Sequence, residues 1–190
     1  MSLLKPINDR YGTYRGLIRL GLTHVQLASG VKGARFEGDH LAVRRLVFVC
    51  AGNICRSPFA DRYARALGIP SASFGLSAST GDLADAVGIA TARTFGIDLE
   101  PHRATDIDDF KFANGDLLLF METRHLAAFQ RVMPTLPHKT ALLGVFAQPS
   151  RPHIHDPHRL GPAYFATCYR VIANAVDALV PRLAHLRSTP

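Results

Sequence analysis

Cysteine is scarce in this chain, which has three cysteines, Cys50, Cys55 and Cys168, among 190 residues. An odd and small number of cysteines does not support the disulfide framework of a small secreted fold. The cysteine positions also lack the spacing of a zinc finger. The sequence therefore predicts thiols that stay reduced, as they do in the cytoplasm.

Long apolar runs and dense basic segments are missing as well. Hydrophobic residues make up 47% of the chain, enough for a sizeable core, but none of the apolar runs is long enough to span a bilayer. The formal net charge is +7, yet the arginines are spread along the chain rather than interleaved with aromatic residues in one run. We expect one domain with an appendage, and no nucleic-acid partner.

The most informative segment runs from Arg45 to Pro58. Residues 46–49 form a continuous apolar run, typical of a buried strand, and Pro58 suits the first turn of a helix. The loop between them begins with Cys50 and ends near Arg56. Such a loop can turn its backbone N–H groups and a helix N-terminus toward one spot, which makes a site for an anion of phosphate size. The same dipoles favour a thiolate at Cys50, and Arg56 can bind two phosphate oxygens.

The pattern V-C-x-G-N-x-C-R-S-P-x-A over residues 49–60 resembles cysteine-dependent phosphatases, and the low-molecular-weight protein tyrosine phosphatases in particular. The resemblance implies a hydrolase in which Cys50 is the nucleophile and Arg56 holds the phosphate. It implies a phosphotyrosine protein as substrate, with no metal or organic cofactor. The predicted substrate-binding residues are Ala51, Gly52, Asn53, Ile54, Cys55, Ser57, His158 and Arg159.

Transfer of phosphate to a thiolate also needs an acid that protonates the leaving oxygen. In the resembled family this acid belongs to an Asp-Pro pair before the last helix, which matches Asp156 here. The family also implies supporting roles for Ser77, expected to hold the phosphate loop through Asn53, and for His102. Met121-Glu122 matches a family Met-Asp pair.

Departures from the family pattern concern the substrate. Residues 81–85 form a short loop without an aromatic residue, and His158 and Arg159 stand where the family often has aromatic residues. Arg159 could stack on a ring or pair with an acidic substrate. Ile54 favours phosphotyrosine, since the arginine-phosphatase branch has threonine there. Arsenate reduction, disfavoured by the cysteine positions, and a non-catalytic phosphate- or phosphoprotein-binding module stay open.

Two smaller questions concern metal and redox chemistry. The segment 153–158 holds three histidines and Asp156, residue types that can bind zinc, but four ligands from one short loop need awkward geometry, so we predict no metal. Cys55 is either a packing residue or a redox partner that forms a disulfide with Cys50.

Residues 1–44 are predicted to be an N-terminal extension, ahead of a phosphatase-like domain over residues 45–190. Ile18, Leu22 and Val25 share one face of a helix in the extension. We expect this helix to pack on the domain or on a second copy, in preference to a membrane, and the tract from Gly30 to His40 to be a linker. The sequence does not set the oligomeric state.

The alternation of strand and helix patterns predicts an α/β fold. We expect a three-layer open parallel sheet of about four strands, with helices on both faces and a flavodoxin-like strand order. The predicted strands are residues 46–49, 73–77, 116–121 and 140–143. The predicted helices are residues 59–67, 82–95, 124–132 and 161–186, with one or two turns over residues 107–112.

Overall fold

A parallel four-stranded sheet forms the centre of the computed structural model, which describes residues 5–134 and 139–188. The spatial order of the strands is β2-β1-β3-β4. The predicted α/β fold is confirmed. The strands are β1 (Arg45–Cys50), β2 (Ser71–Gly75), β3 (Asp116–Phe120) and β4 (Lys139–Leu142).

Helices cover both faces of this sheet and also precede it. In chain order they are α1 (Lys5–Tyr11), α2 (Tyr14–Ala28), α3 (Arg56–Ala66), α4 (Ala86–Arg93), α5 (Thr123–Val132) and α6 (Pro162–Leu179). Short 3₁₀ helices add His40–Ala42, Ile107–Asp109, Leu143–Val145 and Val180–Ser188.

The boundaries differ from the predicted ones where a site is built. β2 lies two residues earlier than expected, and α3 begins at Arg56 rather than Phe59. The first turn of α3 therefore holds Arg56 and Pro58, and its N–H groups face the loop rather than continuing a helical ladder. The last helix ends at Leu179 and continues as a 3₁₀ segment.

The strands are apolar on both faces because each face packs against helices. Leu46, Phe48 and Leu119 point into the core formed with α3, α4 and α6. Val47, Val49 and Phe120 point into the second core, which α5 completes. The alternation of side chains in a strand thus explains the continuous apolar runs in the sequence.

The N-terminal extension packs on the domain. The Leu142 N–H donates to the Ala34 carbonyl at 3.0 Å, and the Thr140 hydroxyl donates to the Gly33 carbonyl at 2.9 Å. The segment predicted to be a linker therefore lies along the free edge of β4, where it covers backbone groups that would otherwise be open to another strand.

Helix α2 contacts the domain through a face other than its most apolar one. Gly16 and Thr23 are buried, whereas Ile18, Leu22 and Val25 are 56%, 57% and 67% exposed. Gly16 permits this contact because a Cβ atom there would lie 3.0 Å from the His155 ring. The helix packs on the domain as expected, but its most apolar face stays in solvent.

Candidate active site

The loop between β1 and α3 is held in a tight curve. Asn53 has a φ of +51°, a left-handed conformation that asparagine tolerates better than most residues. Gly75 at the end of β2 lets the loop approach, since a Cβ atom there would lie 2.5 Å from the Ala51 carbonyl oxygen. Cys50, the last residue of β1, lies at the base of the curve and is 2% exposed.

Two donors face the Cys50 sulfur. The Asn53 N–H donates to Sγ at 3.3 Å, and the Ser57 hydroxyl lies 3.0 Å from Sγ. The Asn53 Nδ2 group donates to the same Ser57 oxygen at 2.8 Å. Because Ser57 accepts from Asn53, its own proton is free to point at the sulfur. This arrangement stabilises a thiolate and would ease its departure from a bond to phosphorus.

Asn53 is the centre of the hydrogen bonds that keep the loop curved. Its side chain donates to the Ser73 hydroxyl at 2.9 Å and accepts from the Thr105 N–H at 2.8 Å. The His102 ring lies 2.8 Å from the Asn53 carbonyl, so His102 contacts the loop that it is predicted to support. Burial lowers the pKa of His102, although this hydrogen bond opposes the shift.

The role predicted for Ser77 is wrong in one respect, because Ser73 and not Ser77 holds Asn53. β2 ends at Gly75, so Ser73 lies within the strand beside β1. Ser77 instead donates its backbone N–H to Ala51 at 3.0 Å and lines the cavity above Cys50.

Arg56 is almost fully buried and is held on one side only. Its Nη1 group donates to Glu122 at 2.7 Å and to the Ile154 carbonyl at 2.9 Å, and Nη2 lies 2.9 Å from Asp156. Its Nε–H, in contrast, is buried with no hydrogen-bond partner among the described residues. A buried unpaired donor is costly, so an oxygen of a bound anion would satisfy it.

Glu122 holds the guanidinium group of Arg56 in place. Its carboxylate accepts from Arg56 and from both Nε and Nη2 of Arg124, at 2.7 and 2.8 Å. Burial alone would raise the pKa of Glu122, but the Arg56 charge and the Arg124 hydrogen bonds lower it below its ordinary value. Burial would likewise lower the pKa of Arg56, but the Asp156 and Glu122 carboxylates outweigh it and raise that pKa. Arg56 is therefore a fixed positive charge beside Cys50.

Asp156 lies at the rim of the site. Its side chain is 34% exposed, and one carboxylate oxygen lies 2.9 Å from Nη2 of Arg56. The preceding residue, His155, is fixed by the N-terminal extension. Its Nε2 lies 3.2 Å from the Thr13 hydroxyl, and Gly12 packs so closely that a Cβ atom there would lie 2.4 Å from the ring. The extension thus supports the loop that carries the predicted acid.

A cavity of about 260 Å³ opens above Cys50. Asn53 and Ser57 are buried beneath it, and Arg159 lies outside its lining. The structure therefore brings the predicted site residues together, with the exception of Arg159. It does not support the predicted position of Arg159 near the substrate. A larger cavity of about 770 Å³ lies between α1 and α6, away from Cys50. The 260 Å³ cavity is lined by Cys50, Ala51, Gly52, Ile54, Cys55, Arg56, Ser77, Asp156 and His158.

The other two thiols differ from Cys50 in their surroundings. Burial raises the pKa of the Cys55 thiol, and it raises the pKa of Cys168 to about 12. Thiols in such apolar sites are poor nucleophiles. All three cysteines are free.

The histidines of the acid loop do not converge on one point. His153 lies 3.8 Å from Glu122, His155 contacts Thr13, and His158 lies 3.4 Å from Asp85. Among the described residues, the side chains close enough to share an ion are instead Cys55, Asp85 and His158, whose ligand atoms lie within 4.8 Å of one another.

Sequence reasoning assigned no role to three residues that build the site. Ser73 holds Asn53, Glu122 holds Arg56, and the Tyr169 hydroxyl donates to the Cys55 carbonyl at 3.1 Å. Glu122 had a usable signal, because an acidic residue directly after a buried parallel strand lies at the edge of the sheet where sites form. Ser73 and Tyr169 carry no such signal.

Comparison with known proteins agrees with this geometry. A family model described as low molecular weight phosphotyrosine protein phosphatase matches residues 45–188. The probable low molecular weight protein-tyrosine-phosphatase AmsI of Erwinia amylovora is 32% identical over 145 residues, which cover 75% of this chain and 99% of AmsI. The low molecular weight protein-tyrosine-phosphatase Wzb of Salmonella typhi is 34% identical over 130 residues, which cover 67% of this chain and 86% of Wzb.

Solved structures show the same fold. The Erwinia amylovora AmsI crystal structure superposes with a TM-score of 0.65 at 31% identity, covering 77% of this chain and 97% of AmsI. Vibrio vulnificus Wzb in complex with benzylphosphonate gives a TM-score of 0.65 at 30% identity, and the match covers 74% of this chain and 99% of that Wzb. The YwlE arginine phosphatase of Geobacillus stearothermophilus, at 24% identity and a TM-score of 0.64, covers 75% of this chain and 94% of YwlE and shares the fold alone.

The fold and the loop around Cys50 define a cysteine-dependent phosphatase, and the protein is an enzyme of that class. The chain belongs to the low molecular weight phosphotyrosine protein phosphatase family, which confirms the family predicted from the sequence.

Proposed function

We propose that this enzyme hydrolyses phosphotyrosine in protein substrates through a cysteinyl-phosphate intermediate. The observation that carries the proposal is the Arg56 Nε–H, which is buried without a hydrogen-bond partner in the described part of the chain and lies beside a cavity with Cys50 at its base. An anion with several oxygens fits this donor, the first turn of α3 and the nucleophile together.

The first step transfers the phosphoryl group to sulfur. The Cys50 thiolate attacks phosphorus, so that a sulfur–phosphorus bond forms as the bond to the tyrosine oxygen breaks. Arg56 and the N–H groups of the loop hold the equatorial oxygens, whose charge grows in the transition state. Asp156, in its protonated form, gives its proton to the leaving oxygen.

The second step releases phosphate. Asp156, now a carboxylate, takes a proton from a water molecule whose oxygen attacks phosphorus. The sulfur–phosphorus bond breaks, and the departing thiolate accepts the hydrogen bond of Ser57, 3.0 Å from the sulfur. The proposed reaction needs no metal and no organic cofactor.

The walls of the cavity and the relatives support tyrosine. Ile54 gives the cavity an apolar wall, which suits an aromatic ring. The relatives above 30% identity are named as tyrosine phosphatases. His158 stands at the rim in place of an aromatic residue and is paired with Asp85.

Reduced thiols support a place in the cytoplasm. The nucleophile must stay a thiolate to react, and three free cysteines suit a reducing compartment. We propose cytoplasmic localisation on this basis.

The test compares hydrolysis of phosphotyrosine, phosphoserine and phosphoarginine peptides in the presence of a chelator. We expect cleavage of the tyrosine peptide, its loss in Cys50→Ser, and a fall in kcat of roughly 10²–10⁴-fold in Asp156→Ala. Cys168→Ala, which removes a buried thiol, is the matched control and should keep turnover. Full activity of Asp156→Ala would show that the acid is another residue. Cleavage of the phosphoarginine peptide alone would overturn the tyrosine proposal.

A further inference from the structure

Helix α2 has two contrasting long faces. The face that it turns to the domain carries Gly16 and Thr23, which are buried, and Leu27, which packs on the second core. The opposite face, which we name the exposed apolar face, is formed by Tyr14, Leu17, Ile18, Leu22 and Val25, with exposures of 51%, 38%, 56%, 57% and 67%.

The exposed apolar face is bordered by basic side chains. Arg15 lies along one edge and His24 along the other, whereas Arg19 turns toward the domain and lies 4.0 Å from the buried Glu122. The sequence of α2 contains no aspartate or glutamate. The Arg15 side chain contacts only its neighbour Tyr14 in the hydrogen bonds described, so its charge is open to solvent. The formal net charge of the chain is +7, which adds to the local positive potential.

A second copy of this chain is a poor occupant of the face. A helix of 15 residues is about 22 Å long, and a strip about 10 Å wide along it offers on the order of 200–400 Å². A stable dimer needs about 800 Å² from each partner. Pairing two such faces would also bring together the Arg15 charges that border them.

We propose that α2 docks on an anionic lipid bilayer, with its exposed apolar face in the interface and Arg15 among the headgroups. A bilayer needs no complementary shape, because apolar side chains enter the boundary region and cations bind acidic headgroups. The domain already holds α2 as a helix through its other face, so docking requires no folding. Among the described residues, no helix is long and apolar enough to cross a bilayer, so the contact is at the surface.

The test is co-sedimentation of the full chain with vesicles of phosphatidylcholine alone and of an equimolar mixture with phosphatidylglycerol. We expect at least about 10-fold tighter partitioning onto the anionic vesicles, weakened by salt. The double variant Ile18→Ser/Val25→Ser should lose at least about 10-fold of that partitioning, since both side chains lie at the centre of the face. Arg15→Gln should weaken binding to the anionic vesicles alone.

The matched control is Val132→Ser on α5, a side chain exposed to the same extent at 57% but outside the face. It should bind vesicles as the unmodified chain does. Circular dichroism and turnover of a small phosphate ester show that each variant is folded. Failure of the unmodified chain to bind anionic vesicles at low salt would overturn the proposal, as would equal binding by the double variant. A dimer that the double variant abolishes, without vesicle binding, would assign the face to a second copy.

Discussion

The buried pair of Arg56 and Glu122 provides the sharpest test of how the site is held together. Arg56 is 1% exposed, so its charge cannot be solvated and depends on the carboxylates beside it. We consider Glu122→Gln, which keeps the shape of the side chain and one acceptor oxygen but removes its charge. The guanidinium group then keeps the Ile154 carbonyl and Asp156 as partners.

The structure sets the expected size of the effect. At 2.7 Å, two unit charges attract by about 6 kcal/mol at an effective dielectric constant of 20, which is an upper bound for the loss. Breaking a buried pair by removing one partner costs about 3–5 kcal/mol. Because Asp156 and the glutamine oxygen remain, we expect a loss of about 3 kcal/mol in the free energy of unfolding. For a chain of this size the melting temperature should fall by about 6–12 °C.

Unfolding in urea, followed by far-UV circular dichroism because the chain has no tryptophan, measures the loss. The matched control is Arg124→Gln, which removes another arginine partner of the same carboxylate. The Arg124 side chain is 54% exposed, so this variant should cost at most about 1 kcal/mol. A loss in Glu122→Gln no larger than that in Arg124→Gln would refute the idea that Glu122 neutralises a buried charge.

The same pair also predicts a pH dependence. The pKa of Glu122 is lowered in the folded protein, so its contribution is present in full above the unfolded value of about 4.5 and is lost as the pH falls below it. The stability of the unmodified chain and that of Glu122→Gln should therefore converge in acid. A difference that stays constant down to the acid transition would contradict the assignment.

Other perturbations have equally definite outcomes. Burial lowers the pKa of His125 to about 3, so in acid the unfolded chain binds a proton that the folded chain does not. The free energy of unfolding should therefore fall by about 1.4 kcal/mol per pH unit below about pH 6. His125→Gln should flatten the slope of urea midpoint against pH, and an unchanged slope would contradict the assignment. Gly75→Ala should displace the Ala51 carbonyl and weaken inorganic phosphate binding at least about 10-fold by calorimetry. An unchanged phosphate affinity would contradict a role for Gly75 in shaping the loop. Thr13→Val removes the hydroxyl from His155 and should lower kcat about 2–10-fold at constant KM, while Thr13→Ser keeps it; equal rates would contradict this.

The sequence predicts this site best where its parts are neighbours in the chain. Cys50, Arg56 and Ser57 lie within one strand–loop–helix unit, so local patterns are enough to place them. The prediction of Asp156 as the acid rests on the family resemblance and not on local geometry. Ser73 and Glu122 lie near the site because β2 and β3 pair with β1 on either side. No local sequence pattern shows which residue of a neighbouring strand faces the loop.

The exposed apolar face of α2 shows a different limit. Periodicity identifies an amphipathic helix, but it does not tell which side meets the domain. Here the contact uses small residues, because Gly16 allows the helix to approach the His155 ring closely. Gly16 has a low helix propensity, yet it is the residue that lets the helix pack.

The hydrogen bond from Thr140 to the Gly33 carbonyl can form only late in synthesis of the chain. The two residues are 107 positions apart. At synthesis rates of about 5–20 residues per second, the segment beside β4 waits about 5–20 s for its partner strand to be made. During that interval, α2 has neither the sheet edge nor the acid loop to pack on, so both of its long faces are open to whatever surrounds the nascent chain.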